Sequence, residues 1–418
     1  MLFKEVLLQA AAAIREHRFR AGLTMLGIAW GIVTVVILMA YGQGFRNALV
    51  VGFRNAVSDG TARVRGGQTS SQVGGERAGR RIFLKEEDVD ALRQLGTIKQ
   101  ASPEYLQSLP LVYGTRSTTA GVRGVSPEYG AMRAETAGDG RFLNAEDCEK
   151  HRSVAFIGTD VAKNLFSNIP PVGQTLRIAG RSFEVIGVLA QKAQLSSYFY
   201  PDSMSVFIPH TTMKAMFAAE YVNYVIYQAL TPEAQDVALR QVRESLAARH
   251  RFDARDERAV RADTSADTMA VVDGMANGLM VVLVFIGSLT LLIGGVGVMN
   301  IMLVSVQERT REIGVRKALG ARRRHILTQF LLEGVAITFA GGIVGILLSY
   351  ALARTIGVLP FIGSLIGDTS RSTDIHLILS PAILITATSV LSLTGLISGV
   401  WPAYRASRLD PIESLRYE

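Results

Sequence analysis

The chain has 418 residues, of which 49% are hydrophobic and 19% charged, with a formal net charge of +8. Its mean hydropathy is positive, which at this length excludes one ordinary soluble domain and points to a membrane protein. The single cysteine, Cys148, excludes an intrachain disulfide and reads as a buried thiol rather than a reactive one.

In chain order, residues 1–21 read as a cytoplasmic amphipathic helix, because Leu2, Phe3, Val6, Leu7, Ala10 and Ile14 recur at helical spacing; it either lies among lipid headgroups or forms a plain cap. Four windows of about 20 residues without a charge follow, at 22–41, 279–304, 335–353 and 382–401, each long enough to cross the hydrocarbon core. We read spans at 22–41, 279–304, 332–355 and 380–401. The first window exceeds a signal-peptide core and lacks a small-x-small cleavage site, so it is expected to stay as an anchor.

Residues 42–60 and 263–278 continue the helical pattern past the first span and ahead of the second, with Phe45, Leu49, Phe53 and Val57 on one stripe and Met269, Val272, Ala276 and Leu279 on the other. Both are expected to be stalk helices. Between them, 61–262 has ordinary polar composition and reads as a mixed α/β module. Within it, 66–81 has the composition of a mobile loop, 153–166 reads as strand then helix, and 173–190 as a hairpin turning at Ala179-Gly180;. Strands are expected at 203–209 and 221–230 and an amphipathic helix at 232–249, while 66–81 and 194–204 (QLSSYFYPDSM) read as plain exposed loop ahead of the alternative that they touch substrate or an adaptor.

Orientation follows from basic residues near the spans. The first 21 residues, the 305–331 loop with seven basic side chains and the 402–418 tail are rich in Lys and Arg, whereas the 356–379 loop balances Arg371 with Asp368 and Asp374. Both termini and 305–331 are therefore expected in the cytoplasm, with the α/β module outside. That module, with its stalks, holds 28 basic and 26 acidic residues, so six of the eight surplus charges lie elsewhere. No basic stripe interleaved with aromatics marks a nucleic-acid face.

Several chemistries find no support. The four uncharged windows hold no ionisable residue for an ion relay, Asn300 being their most polar side chain;. No Gly-Lys pair occurs, so the phosphate loop of a P-loop ATPase is missing;. The six histidines are scattered, and Cys148 with His151 and Asp147 is too local to be read as a nucleophile site;. We expect no catalytic residue, no metal and no cofactor in the chain.

Glycine carries more. Gly27 with Gly31, Gly341 with Gly345, and Gly395 with Gly399 are small-xxx-small pairs that let helices approach, within one protomer or between two;. Gly294, Gly295 and Gly297 in the second span form a candidate hinge. In VQERTREIGVRKALGARRRHILTQFLLEG (306–334), Glu308 with Arg311 and Glu312 with Arg316 fit a helix braced by its own ion pairs, with Gly314 and Gly320 expected to break it;. A short charged helix between two spans has the form of a mechanical handle.

The stretch GGVGVMNIMLVSVQERTREIGVRKALGARRRHILTQFLLEG (294–334), AGGIVGILLS (340–349) and WPAYRASRLDPIESLRYE (401–418) resemble the permease half of MacB-type ABC transporters, in the wider FtsX and LolC/LolE group. GTDVAKNLFSNIPPVGQTLRIAGRSFEVIGVLA (158–190) is similar to that family's periplasmic core domain. The resemblance implies a homodimer of four-helix protomers in the inner membrane that passes ATP-driven motion to periplasmic lobes. It places ATP and Mg on a partner ATPase, and that ATPase on Glu308, Arg309, Arg311, Glu312, Arg316 and Lys317, with Leu319, Gly320 and Ala321 at the end of the contact. MacB proper carries its ATPase ahead of the first span, where only about 21 residues stand here, so the ATPase is expected to be a separate protein. Efflux with a periplasmic adaptor and an outer-membrane channel is the leading expectation. Lipoprotein or lipid extraction and control of a cell-wall hydrolase are the alternatives, and a static membrane anchor is the contrasting class.

Overall fold

A computed structural model describes residues 18–54, 58–72, 75–167, 169–192, 194, 197–361 and 373–415. The amphipathic stripe at 2–14 and Val57 lie outside the described residues. The chain divides into a helical unit, formed by the described parts of Met1–Asn47, Gly274–Phe361 and Asp374–Glu418, and a sheet unit, formed by those of Ala48–Asp273 and Ile362–Thr373.

The first helix, α1 (Arg18–Arg54), is unbroken, its apolar window continuing into the stripe of Phe45, Leu49 and Phe53. The sheet unit then builds ten strands, β1 (Thr61–Gly66), β2 (Ile98–Tyr113), β3 (Arg116–Val125), β4 (Ala137–Gly140), β5 (Val154–Ile157), β6 (Thr175–Ile178), β7 (Arg181–Leu189), β8 (Ser205–Pro209), β9 (Tyr224–Ala229) and β10 (Val260–Thr264). They hydrogen-bond in the order β10-β1-β9-β2-β3-β8-β5-β7-β4, with β6 joining β2 and β7. Among the described strands, only β3–β8 and β5–β7 run parallel. The helices of this unit are α2 (Glu86–Arg93), α3 (Tyr129–Met132), α4 (Ala145–Glu149), α5 (Thr159–Phe166), α6 (His210–Phe217) and α7 (Gln235–His250).

Period-2 alternation splits the core over the two sheet faces. Ala155, Ile157, Val206, Ile208 and Val225 face one cluster, which Leu92, Leu165, Phe166, Met213, Val242 and Leu246 complete from α2, α5, α6 and α7. Phe156, Phe207 and Ile226 face the other, with Tyr129 and Met132 from α3. The β6–β7 hairpin turns at Ala179 and Gly180, whose φ values of 48° and 84° give the two left-handed positions of a tight hairpin turn.

Two stretches read as loops have partners in their described residues. In 66–81, Thr69 and Gly79 exchange backbone bonds with their neighbours across the loop, Gly79 N–H to Thr69 O at 2.8 Å and Thr69 N–H to Arg80 O at 2.9 Å, and Ser70 N–H is tied to Asp256 at 2.5 Å. The described arms of this stretch, 66–72 and 75–81, are tied together and to Asp256 by backbone bonds that composition cannot reveal. Within 197–204, Tyr198 and Asp202 turn inward onto buried charges, so this part is not plain exposed loop.

The helical unit continues with α8 (Ser265–Glu308), α9 (Thr310–Ala318), α10 (Arg323–Ile356), the short ribbon of β11 (Val358–Leu359) and β12 (Ile375–His376), α11 (Pro381–Arg408) and α12 (Pro411–Leu415). The four long helices α1, α8, α10 and α11 are each apolar and long enough to cross a membrane. Their shared core holds Ile28, Ile32, Val36, Leu291, Met302, Phe330, Ala387 and Leu391.

Candidate functional site

The densest positive charge gathers around α9. It carries Glu312 in its first turn and Arg316 and Lys317 in its last, the arrangement a helix dipole favours. Glu312 and Arg316 lie 3.9 Å apart at i,i+4 spacing, an exposed pair worth about 0.3–0.5 kcal/mol. Three basic side chains tie the helix down instead. Arg309 donates to Glu333 on α10 at 3.4 Å, and Arg316 donates to the Gln329 side-chain oxygen at 3.0 Å. Lys317 donates to the backbone oxygens of Ser407, at 3.0 Å, and Leu409; burial, with Arg323 nearby, lowers its ammonium below the ordinary value against the pull of Asp410.

Gly314 does not break the helix. The break falls at Arg309, between α8 and α9, and Gly314 is buried within α9, where an added Cβ would stand 2.6 Å from Ser414 Cβ. Glycine there admits α12 against α9. Gly320 does end the helix, at φ 95°: its N–H donates to Lys317 O at 3.1 Å and the Ala321 N–H to Arg316 O at 3.0 Å, the paired bonds of a Schellman cap. The cap leaves Leu319 84% exposed. The nine residues singled out from sequence thus divide. Arg309, Arg316, Lys317 and Ala321 are half-buried, whereas Glu308, Arg311, Glu312, Leu319 and Gly320 are exposed.

The span glycines are contact points within one copy of the chain. An added Cβ at Gly31 would lie 3.0 Å from Leu291 Cα, at Gly294 3.0 Å from Gly27 O, and at Gly345 2.8 Å from Ala29 O. Gly341 meets Ile28 at 3.1 Å, Gly395 meets Thr338 at 2.9 Å, Gly295 meets Thr394 at 2.8 Å and Gly399 meets Leu331 at 3.3 Å in the same sense. Helix α8 is unbroken through this region, so close packing accounts for Gly294 and Gly295, while a Cβ at Gly297 would meet nothing within 4 Å.

Sequence reasoning missed a buried charge cluster in the sheet unit. Arg123 on β3 is fully buried and donates to Glu104 on β2 at 2.8 Å, to Tyr198 Oη at 2.9 Å and to Tyr200 O at 2.8 Å. Tyr129 and Tyr198 donate to the same Glu104 at 2.7 and 2.6 Å. Lys192 stands 3.1 Å from Glu135 and 3.0 Å from Asp202, with Arg133 3.8 Å from Asp202. Burial and the neighbouring Asp202 push the Glu135 carboxyl up to about 8. Asp202 is buried too, yet Lys192, Arg133 and Arg123 hold it below the usual carboxylate range. These residues span positions 104–202 and no short motif joins them; the one signal was SYFYPD (197–202), whose aromatics are too many for an exposed loop. Cys148 is buried, its thiol pushed up to about 12 by burial and by Asp147.

The family model for the MacB-like periplasmic core domain matches residues 21–245, more than half of the chain. The protein belongs to the MacB-like periplasmic core domain family. A second model, for the FtsX-like permease C-terminal region, matches residues 284–411 of this MacB-like chain. Among curated relatives, the macrolide export ATP-binding/permease protein MacB of Bdellovibrio bacteriovorus is 34% identical over 422 residues, covering 99% of this chain and 62% of the relative. The MacB of Chlorobium luteolum is 33% identical over 417 residues, covering 98% and 60%. The MacB-like chain therefore spans about three fifths of the length of the relatives it matches. Among solved structures, the periplasmic region of MacB from Actinobacillus actinomycetemcomitans is matched over 53% of this chain and 95% of that one, at 22% identity and a TM-score of 0.43. Four apolar helices and this core domain make the chain a multi-pass membrane protein with an extracytoplasmic domain.

Proposed function

We propose that this chain is the non-catalytic permease of an ABC transporter: it conveys ATP-driven motion of a separate ATPase from α9 through the spans to the sheet domain. The motion drives efflux of a periplasmic substrate with an adaptor protein and an outer-membrane channel. In this reading the chain is a homodimer in the inner membrane, with both termini cytoplasmic and the sheet domain periplasmic. ATP and Mg belong to the ATPase, and lipid surrounds the spans. The apolar window of α8 is only 17% buried within one copy, leaving an apolar face for lipid and a second copy.

One observation carries the reading. The segment around α9 is fastened by Arg309, Arg316 and Lys317, and it leaves Glu308 at the end of α8, Arg311 and Glu312 on α9, and the capped Leu319 exposed. A short helix fastened to its neighbours, with an exposed mixed-charge face and a span on either side in the chain, transmits a push from whatever docks on it. Affinity purification of the full chain from its native membrane in mild detergent, with mass spectrometry and a hydrolysis assay, tests this. A P-loop ATPase is expected to co-purify, and the exposed substitution Glu312→Lys to lower its recovery and stimulated hydrolysis at unchanged yield of folded chain. Recovery without any ATPase would overturn the proposal.

A further inference from the structure

Helix α11 changes chemistry along one exposed face. Leu393, Ile397, Trp401 and Tyr404 are exposed on it, and Arg405 and Arg408 are exposed beyond them. At 3.6 residues per turn these positions fall within about a third of the helix circumference. Away from them, Pro402, Ala403, Ala406 and Ser407 are buried. Toward the helix end the face therefore runs from aliphatic through indole and phenol to guanidinium. That is the order of depth in one leaflet of a bilayer: acyl chains, the interfacial layer that amphipathic rings occupy, then phosphate.

The two arginines are free to meet a phosphate. Among the described residues neither has a carboxylate partner. Arg408 lies over the Tyr404 ring, 4.5 Å from its centroid, which keeps its guanidinium beside the aromatic pair. The nearest acid in sequence, Asp410, accepts from the Ile412 N–H at 2.8 Å. A helix dipole by itself favours cations in a last turn, but it calls for no aromatic residues above them. Nor does every span end this way, for the last turn of α8 holds no basic residue and closes at Glu308. The backbone oxygens of Ser407 and Leu409, in the same turn of α11 as Arg408, hold Lys317 of α9.

We propose that this end of α11 is a binding site for an anionic phospholipid, with its phosphate on Arg405 and Arg408, its glycerol backbone against Trp401 and Tyr404 and its acyl chains along Ile397 and Leu393. Arginine offers a phosphate two parallel N–H donors. A headgroup such as glycerol leaves the phosphate charge unopposed, whereas choline brings its own cation, so the site prefers phosphatidylglycerol to phosphatidylcholine. Lipid and α9 are then fastened to one turn of α11.

Tryptophan quenching by brominated phospholipids tests this. Trp30 and Trp401 are the two tryptophans of the chain, and Trp30 is exposed on α1, so Trp30→Phe leaves Trp401 as the one reporter in the full-length chain. The reporter chain is reconstituted in vesicles of equal parts dioleoylphosphatidylglycerol and dioleoylphosphatidylcholine, with one or the other lipid dibrominated. Quenching is expected to show a preference of at least about threefold for phosphatidylglycerol. Arg405→Gln with Arg408→Gln should abolish the preference while brominated phosphatidylcholine still quenches, which shows the chain inserted. Arg405→Lys with Arg408→Lys keeps both charges and should retain most of it. Equal quenching by the two lipids in the reporter chain, a preference that survives the glutamine pair, or its loss on adding inorganic phosphate at constant ionic strength would each overturn the proposal. No ATPase takes part, so failure here leaves the coupling role standing.

Discussion

Glu135 and Asp202 share one ammonium, that of Lys192, yet their carboxyls move in opposite directions. Asp202 has two guanidinium neighbours besides Lys192, enough to offset its burial; Glu135 has Asp202 itself as a neighbour. The folded-state value of Glu135 is thereby raised from an ordinary 4.5 to about 8. A folded state that binds the extra proton gains stability from it below the unfolded value and loses it as pH rises through the folded one. From Glu135, the sheet unit is therefore expected to melt at progressively lower temperature between about pH 4.5 and pH 8, and Glu135→Gln to flatten that slope. A slope unchanged in the variant would place the titration elsewhere. Asp202 acts in the other sense, its contribution lost only as the solution becomes strongly acid, so the two windows separate. At this scale the sequence was least legible. A lone Glu or Arg in a list of residues reads as surface, and Arg123 or Glu104 becomes a core residue only when strand pairing sets β2 beside β3.

Elements were more legible where a single physical signal decides them. Long uncharged windows could only be spans, and each falls inside one of α1, α8, α10 and α11. Period-2 alternation around Ala179-Gly180 marked the β6–β7 hairpin, and GTDVAKNLF the β5-to-α5 step. The long β2–β3 ribbon escaped notice because Pro103 and Pro110 interrupt β2 and its inward face carries Glu104; proline reads as a strand breaker unless an irregular edge or a bulge accepts it. The glycine pairs signalled close packing but not with which helix, since that depends on the partner's side chains. Their weights can be separated by substitution. Gly345→Val should cost about 1–3 kcal/mol by overpacking, because its Cβ would press on Ala29 O and Ile32 Cβ, both 2.8 Å away. Gly297→Ala, with nothing within 4 Å of its Cβ, should leave the melting of the detergent-solubilised chain unchanged. Equal melting of the two variants would refute the packing account.

Across the whole molecule, transmission in the proposed reading requires continuous helices. Helices α1 and α8 run unbroken through the positions at which the chain divides into its two units, Asn47/Ala48 and Asp273/Gly274. Helix α8 ends one residue before the Arg309 break that leads into α9, and α9 is fastened to α10 through Arg309–Glu333 and Arg316–Gln329 and to the end of α11 through Lys317. In the proposed reading, a displacement of α9 is passed to three spans at once rather than absorbed in a loose loop. Sequence alone gave the charge of this segment and its place between spans, but not the division of its basic residues into anchors and exposed face. That division depends on Gln329, Glu333 and Ser407, which lie outside the charged run.

The measurement that tests transmission most directly is a spin-label distance between two copies of the chain, each labelled at Lys163→Cys on α5, where the native side chain is 70% exposed. Cys148, buried and with its thiol pushed up to about 12, stays in place as an unreactive background. With the ATPase bound in lipid nanodiscs, the distance distribution is predicted to shift between the nucleotide-free and ATP–vanadate states, and the shift to vanish when Leu319→Asp spoils the α9 tip. A distribution indifferent to nucleotide in the unaltered α9, with the ATPase bound and hydrolysing, would contradict the claim that this chain carries motion to its sheet domain.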